Sequence, residues 1–262
     1  MTLANSSSEQ FITVHNASIY VKTWTPQNVL DSVPIILLHD SLGCTEMWRD
    51  FPALLAEKTG RVVSSYDRWG FGKSSERNGL PSVQFISEEG ETHLPAILNS
   101  LGINKFFLFG HSVGGAMAVV TAGVLKDRCL GIITESAQAF VEDRTREGIS
   151  KAQIDFADVT MFSRLKKYHG EKTQWVLDAW IKVWLSSEFS QWSLRSDLPK
   201  VHCPVMAIHG DSDEYGSVKF PEMISSLAAG HTEMQIIPSC GHVPHREKPE
   251  VILNLCARFY VS

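Results

Sequence analysis

The sequence lacks the marks of several large protein classes. Its five cysteines (Cys44, Cys129, Cys203, Cys240 and Cys256) are an odd set with no C-x-x-C pair, which speaks against a disulfide framework and for reduced thiols. No run of Lys or Arg occurs and the net charge is −5, so there is no footprint for a nucleic-acid partner. No apolar stretch approaches the roughly 20 residues that span a bilayer. Met1 to Gln10 is polar, without the basic start and apolar stretch of a secretory leader. The expectation is a soluble, cytoplasmic protein with no membrane partner. Internal repeats, low-complexity tracts and flexible linkers are also missing. His245 follows His242 by three residues, but no further ligands stand at suitable spacing, so neither a metal nor any other cofactor is expected.

What is present is ordinary in bulk and specific in detail. At 262 residues, 44% hydrophobic and 20% charged, the chain is long enough for one large domain with a substantial core. Phe11–His15 and Ser18–Trp24 alternate in polarity around Asn16-Ala17 and predict an antiparallel hairpin. Pro34–Leu38 is a continuous apolar run, as in a strand buried on both faces. Thr45–Lys58 predicts a helix, Arg61–Tyr66 a strand, Val83–Leu101 a helix and Lys105–Phe109 a strand. Leu130–Thr134, Val205–His209 and Glu233–Ile237 predict further strands, Val218–Ala228 and Pro249–Tyr260 further helices. Such alternation implies an α/β fold, a mainly parallel, doubly wound sheet covered by helices. The exception is 139–195, where charged helical segments follow one another without a convincing strand. This block predicts a helical cap inserted between two core segments, 1–138 and 196–262.

The chemistry is concentrated in Gly110-His111-Ser112-Val113-Gly114-Gly115. A strand-length apolar run precedes it and an alanine-rich helical run follows, so the serine sits in the nucleophile-elbow pattern G-x-S-x-G. The turn must be so tight that side chains at the flanking glycine positions would collide with the neighbouring elements. The serine hydroxyl then stands clear of the sheet, and the amides that open the helix face any developing negative charge. A serine needs a base. Ile236–His242 gives a strand, a loop of small residues and a histidine, placing His242 beyond a strand end. The base needs an orienting carboxylate, and Gly210-Asp211-Ser212-Asp213 after the preceding strand offers two. Glu135, ending the strand after the elbow helix, is a third.

In these residues the chain resembles the α/β-hydrolase superfamily, in its single-chain form with a helical cap. The resemblance runs from the Ile35–His39 strand to the C-terminal helix. It rests on the elbow, on Leu38-His39 opening a loop that ends at Gly43, and on Asp67–Ser74, similar to D-x-x-G-x-G-x-S. Gly210-x-x-Asp213 and Gly241-His242 complete it. The resemblance implies a serine hydrolase acting on a carboxylic ester or related small-molecule acyl compound. Ser112 forms an acyl-enzyme, His242 acts as base and then acid, and Asp213 orients the imidazole. It also implies an oxyanion hole from the amides of Val113 and Ser41. Two alternatives share these residues: a carbon–carbon bond hydrolase, and a non-hydrolytic small-ligand receptor. Relatives with an aspartate nucleophile are set aside by Ser112, and proline iminopeptidases by His39-Asp40-Ser41-Leu42-Gly43, where they carry a loop resembling His-Gly-Gly-Pro-Gly.

Asp40 departs from the family pattern, replacing a glycine. Aspartate tolerates positive φ, so the turn is expected to survive, with the carboxylate pointing away from the hole. His39 and His111 are expected to support the loop and the elbow, Cys240 to be a small filler, and Arg68 to form a surface ion pair or to neutralise nearby carboxylates. Among the cap aromatics, most are expected to glue cap to core. Trp180 and Trp184, four residues apart on one helical face, are the candidates to line a moderately apolar pocket.

Overall fold

Apolar runs and amphipathic stretches resolve into one eight-stranded sheet with helices on both faces, in a computed structural model that describes residues 6–261. Met1 to Asn5, half of the polar N-terminal stretch, and Ser262 lie outside the described residues. The strands are β1 (Ser6–Val14), β2 (Ala17–Thr25), β3 (Asp31–Leu38), β4 (Arg61–Tyr66), β5 (Phe106–His111), β6 (Cys129–Glu135), β7 (Val205–Gly210) and β8 (Thr232–Ile237). They are ordered β1-β2-β4-β3-β5-β6-β7-β8. β1 and β2 are antiparallel to each other, and β2 to β4; the remaining pairs are parallel. β7 and the second half of β3, Ile35–Leu38, are buried on both faces, as central parallel strands require.

The hairpin turns at His15-Asn16, one residue earlier than the alternation suggested, with φ of 48° and 65°. Two consecutive left-handed residues make the turn whose twist matches the flanking strands. The predicted helix at 45–58 is two pieces. A 3₁₀ turn at Thr45–Trp48 ends at Arg49 (φ 54°), and α1 (Phe51–Thr59) starts afresh with Pro52 in its first turn, where a missing amide hydrogen costs nothing. The predicted helix at 83–101 is interrupted as well. Between α2 (Phe85–Glu88) and α3 (Leu94–Ser100) lies a π-helical turn, Glu89–His93. Pro95 cannot bond the carbonyl four residues back and would crowd it, and the widened turn relieves both problems.

The elbow helix α4 (Val113–Leu125) and α2–α3 cover one face of the sheet. On the other, α1 and α10 (Pro249–Val261) enclose Ile35, Leu37, Phe109, Met206 and Ile208. Three helices, α5 (Asp143–Asp155), α6 (Val159–His169) and α7 (Thr173–Trp184), lie between β6 and β7. Their ends are fastened to the core. Glu142 accepts hydrogen bonds from the Ser217 amide (2.7 Å) and hydroxyl (2.9 Å). At the other side His169 accepts from the Gly72 amide (2.9 Å) and donates to the Leu42 carbonyl (2.9 Å). α8 (Lys219–Leu227) and the short α9 (Pro244–Glu247) complete the core. All five cysteines are free. Among the described residues no helix is long and apolar enough to cross a membrane.

The order of strands decides where a ligand can enter. The chain leaves β3 for β4 on one side and returns to β5 on the other, so the connections diverge above the carboxyl ends of β3 and β5. Such a switch point opens a crevice in a doubly wound sheet.

Candidate active site

Ser112 lies at that crevice, between β5 and α4. Its φ of 57° and ψ of −126° are a conformation that costs a non-glycine residue about 1–3 kcal/mol. The neighbours hold it there: its amide donates to the Glu135 carbonyl (2.9 Å), and its carbonyl accepts from the Gly115 amide (2.9 Å). A Cβ on Gly110 would stand 2.3 Å from the Gly114 oxygen, and one on Gly114 2.2 Å from the Leu38 oxygen. Neither contact is possible, so both flanking glycines are required. Ser112 Oγ donates to Gln138 Oε1 at 3.2 Å. Gln138 was not foreseen from the sequence; it lies in the coil after β6, where no motif or periodicity marks it.

His242 follows β8, and both Asp213 oxygens face its Nδ1, at 2.8 and 2.9 Å. This contact leaves Nε2 as the ring nitrogen available to a substrate or hydroxyl. Asp213 also accepts from the Tyr215 amide (2.8 Å), and His209 Nε2 stands 3.5 Å away. Burial acts to raise the Asp213 carboxyl. The charge and hydrogen bond of His242, with His209 and the Tyr215 amide, outweigh it and hold the group below its ordinary value. For His242 burial acts to lower the imidazole, and the charge and hydrogen bond of Asp213, then Glu214 and Asp40, raise it. The other two carboxylates are engaged elsewhere. Asp211 is exposed and accepts from Ser212 (2.8 Å) and the Cys240 amide (3.4 Å). Glu135 is wholly buried and meets His245 Nδ1 at 2.5 Å.

The loop after β3 turns without the positive φ that Asp40 was expected to need. It is braced by side chains instead. His39 donates from Nδ1 to the Asp40 carbonyl (2.9 Å) and accepts the Arg68 amide on Nε2 (3.1 Å). Arg68 donates from Nη2 to the same carbonyl (2.6 Å), and its guanidinium lies 4.3 Å above the Phe71 ring. Arg68 is thus a buried strut, only 5% exposed, and not a partner in a surface ion pair. The Asp40 carboxylate leans on the elbow: Oδ2 is 3.6 Å from His111 Nδ1, while Oδ1 packs against Gly43 and has no hydrogen-bond partner. His111 also donates from Nε2 to the His242 carbonyl (2.8 Å). Ser41 lines the crevice, and the Val113 amide opens α4, where no preceding turn accepts from it.

Above these loops lies a cavity of about 240 Å³ whose wall includes Ser41, Ser112, Gln138, Trp180, Trp184 and His242. The other tryptophans of 139–195 pack elsewhere. Trp175 closes on Gly70 and Phe71 and donates to the Gly79 carbonyl (2.8 Å), and Trp192 stacks on Phe189 at 5.4 Å. Cys240 is 1% exposed and burial pushes its thiol up to about 12, so it packs as a small apolar group. Among the described residues, His111, Glu135 and His245 bring ligand-type atoms within 4.8 Å of one another. His245 Nδ1 and Glu135 Oε2 already meet each other there at 2.5 Å.

These features match a known family. Residues 35–255 fit the sequence profile of the alpha/beta hydrolase family. The chain belongs to that family. The hydrolase is 30% identical over 90 residues to a proline iminopeptidase of Lactobacillus delbrueckii subsp. lactis, over 34% of this chain and 31% of that one. The aligned part therefore spans about a third of that relative's length. In shape it is similar to a 2-hydroxy-6-oxo-6-phenylhexa-2,4-dienoate hydrolase from Rhodococcus sp. strain RHA1, with a TM-score of 0.80 and 15% identity over 99% of this chain and all of that one (100%). It is also similar to a proline iminopeptidase of Mycobacterium smegmatis, with a TM-score of 0.73 and 20% identity over 97% of each chain.

Proposed function

We propose that the protein is a serine hydrolase that cleaves a carboxylic ester or related acyl compound through an acyl-enzyme on Ser112. The observation that carries this reading is the Asp213 carboxylate held on His242 Nδ1 at 2.8 Å, beside a cavity shared by His242 and Ser112. With Nδ1 engaged, Nε2 takes the Ser112 proton as Oγ attacks the carbonyl carbon. The oxyanion is received by the amides of Ser41 and Val113. The imidazolium, stabilised by Asp213, returns the proton to the leaving group, and the acyl-enzyme is hydrolysed by water activated in the same way. In this reading Ser112 turns from Gln138 to His242 before attack, 139–195 forms the cap, and Trp180 and Trp184 bound the acyl pocket.

A fluorophosphonate probe tests it directly. Ser112 becomes labelled, labelling is lost in Ser112→Ala and falls sharply in His242→Ala, and p-nitrophenyl esters are turned over by the same species. A protein that is folded yet neither labelled nor active on any ester of the series refutes the reading and favours a receptor.

A further inference from the structure

Apart from the Asp213–His242 pair, the charge of the cavity is one-sided. Two carboxylates, Asp40 and Glu214, stand in its wall with the aromatic rings of Trp180, Trp184 and Tyr215, and no lysine or arginine lines it among the described residues. Neither carboxylate forms an ion pair with a lysine or arginine among the described residues, although the buried Arg68 acts on Asp40 through its charge. Among the described residues the only ion-pair contact of Asp40 is His111 at 3.6 Å, and burial pushes that imidazole down to about 4, so it carries no charge at neutral pH. Glu214 is exposed at the rim and has no ion-pair partner among the described residues.

The nearest cations face other ways. Arg144 donates to the carbonyls of Asp213 (3.2 Å) and Gly216 (3.5 Å). Arg68 is committed to the Asp40 carbonyl and the Phe71 ring, and with Arg77, itself 3.4 Å from Glu88, it lines a separate space of about 20 Å³. That is room for little more than one water, too small for an anionic arm. Tyr215 stands in the same field. Burial first, then Glu214, Asp155, Asp213 and Asp40, push its hydroxyl up to about 12.

Aromatic rings and carboxylates without a paired lysine or arginine together attract an ammonium group by cation–π and Coulomb forces, and repel an anion. We propose that this cavity selects acyl substrates carrying a positively charged nitrogen and rejects those carrying a second carboxylate, with Glu214 and Asp40 as specificity determinants. This inference rests on the acyl-hydrolase reading for its turnover assay but not for its binding assay. The cavity volume limits the favoured substrate to a small one, about the size of a trimethylammonio-butyryl group.

The test compares three p-nitrophenyl esters of similar size: a 4-(trimethylammonio)butyrate, its neutral 5,5-dimethylhexanoate isostere and a hemiglutarate. The expected order of kcat/KM is cationic above neutral above anionic. The span from cation to anion is at least about 100-fold at low salt, which is about 2.7 kcal/mol, and it shrinks as ionic strength rises. Glu214→Gln and Asp40→Asn each reduce the cation-to-anion ratio severalfold. The ratio is read within one preparation, so loss of folded protein does not enter it. Equal rates for the three esters, or a faster hemiglutarate, overturn the proposal while leaving the hydrolase reading intact. If no ester is turned over, the hydrolase reading fails, and binding still decides the charge preference. Quenching of tryptophan fluorescence by phenyltrimethylammonium, with no matching response to benzoate, then supports the proposal, and the reverse overturns it.

Discussion

Two carboxylate–imidazole pairs lie on either side of one histidine. The His111 ring is 5.1 Å from the ring of His242 and 5.1 Å from that of His245. In both pairs a buried carboxylate meets Nδ1, at 2.8 Å for Asp213 and 2.5 Å for Glu135. Their electrostatics are opposite. Asp213 is held low and His242 is raised, whereas burial pushes Glu135 up to about 7 and His245 down to about 3. The difference lies in the remaining partners. Asp213 has the Tyr215 amide and a second imidazole, His209, while Glu135 Oε1 is buried without any hydrogen-bond partner. A carboxylate and an imidazole thus favour each other's charged form in one place, and burial disfavours both charges in the other. A carboxylate beside a histidine is not by itself a catalytic pair; extra donors and an open cavity make the difference.

The largest expected contrast is kinetic. On the hydrolase reading, His242→Ala lowers kcat on the order of 10⁶-fold, while His245→Asn, measured per titrated active site, stays within about tenfold. Equal losses would erase the distinction between the pairs. The next contrast is in stability against pH. The Glu135 carboxyl is raised in the folded state from an ordinary 4.5 to about 7. Its favourable contribution is therefore complete below 4.5 and is lost as pH rises through 7. Relative to Glu135→Gln, which stays uncharged, the native protein should lose about 3 kcal/mol between pH 4 and pH 8, measured by urea unfolding. A difference that does not change with pH would show that Glu135 stays ionised throughout.

A smaller effect belongs to the pH profile of kcat/KM. His242 must be neutral to act as a base, and its raised imidazole places the acid limb above 6.5. Asp40→Asn or Glu214→Gln removes a charge that favours the imidazolium, so the limb moves to lower pH. A limb that stays in place would remove those carboxylates from the field at His242. The smallest effect is that of Asp211→Asn, expected to change kcat/KM by less than about twofold, because this exposed group touches only its own loop.

Much of this was legible because it is local. The elbow announces itself in six consecutive residues, and the parallel strands follow from uninterrupted apolar runs such as Pro34–Leu38. The spacing of Trp180 and Trp184 placed both on one helical face, and both line the cavity. What was hidden depends on residues far apart in sequence. Glu135 and His245 are 110 positions apart, and no pattern in either segment names the other. Arg68 looked like a surface residue because its partners, the His39 ring and the Asp40 carbonyl, become visible only once β3 and β4 are side by side. Gln138 carries no motif at all. The breaks at Arg49 and at Glu89–His93 were missed because apolar periodicity continues across both, although Pro52 and Pro95 held the signal.

One contact sets how well the site keeps its alignment. The ring of His111, the residue before Ser112, grips the main chain of His242 at 2.8 Å. Two segments encoded 131 positions apart are therefore joined at the point where they must agree. The register between nucleophile loop and histidine loop is therefore set by a direct contact and not only through the intervening fold.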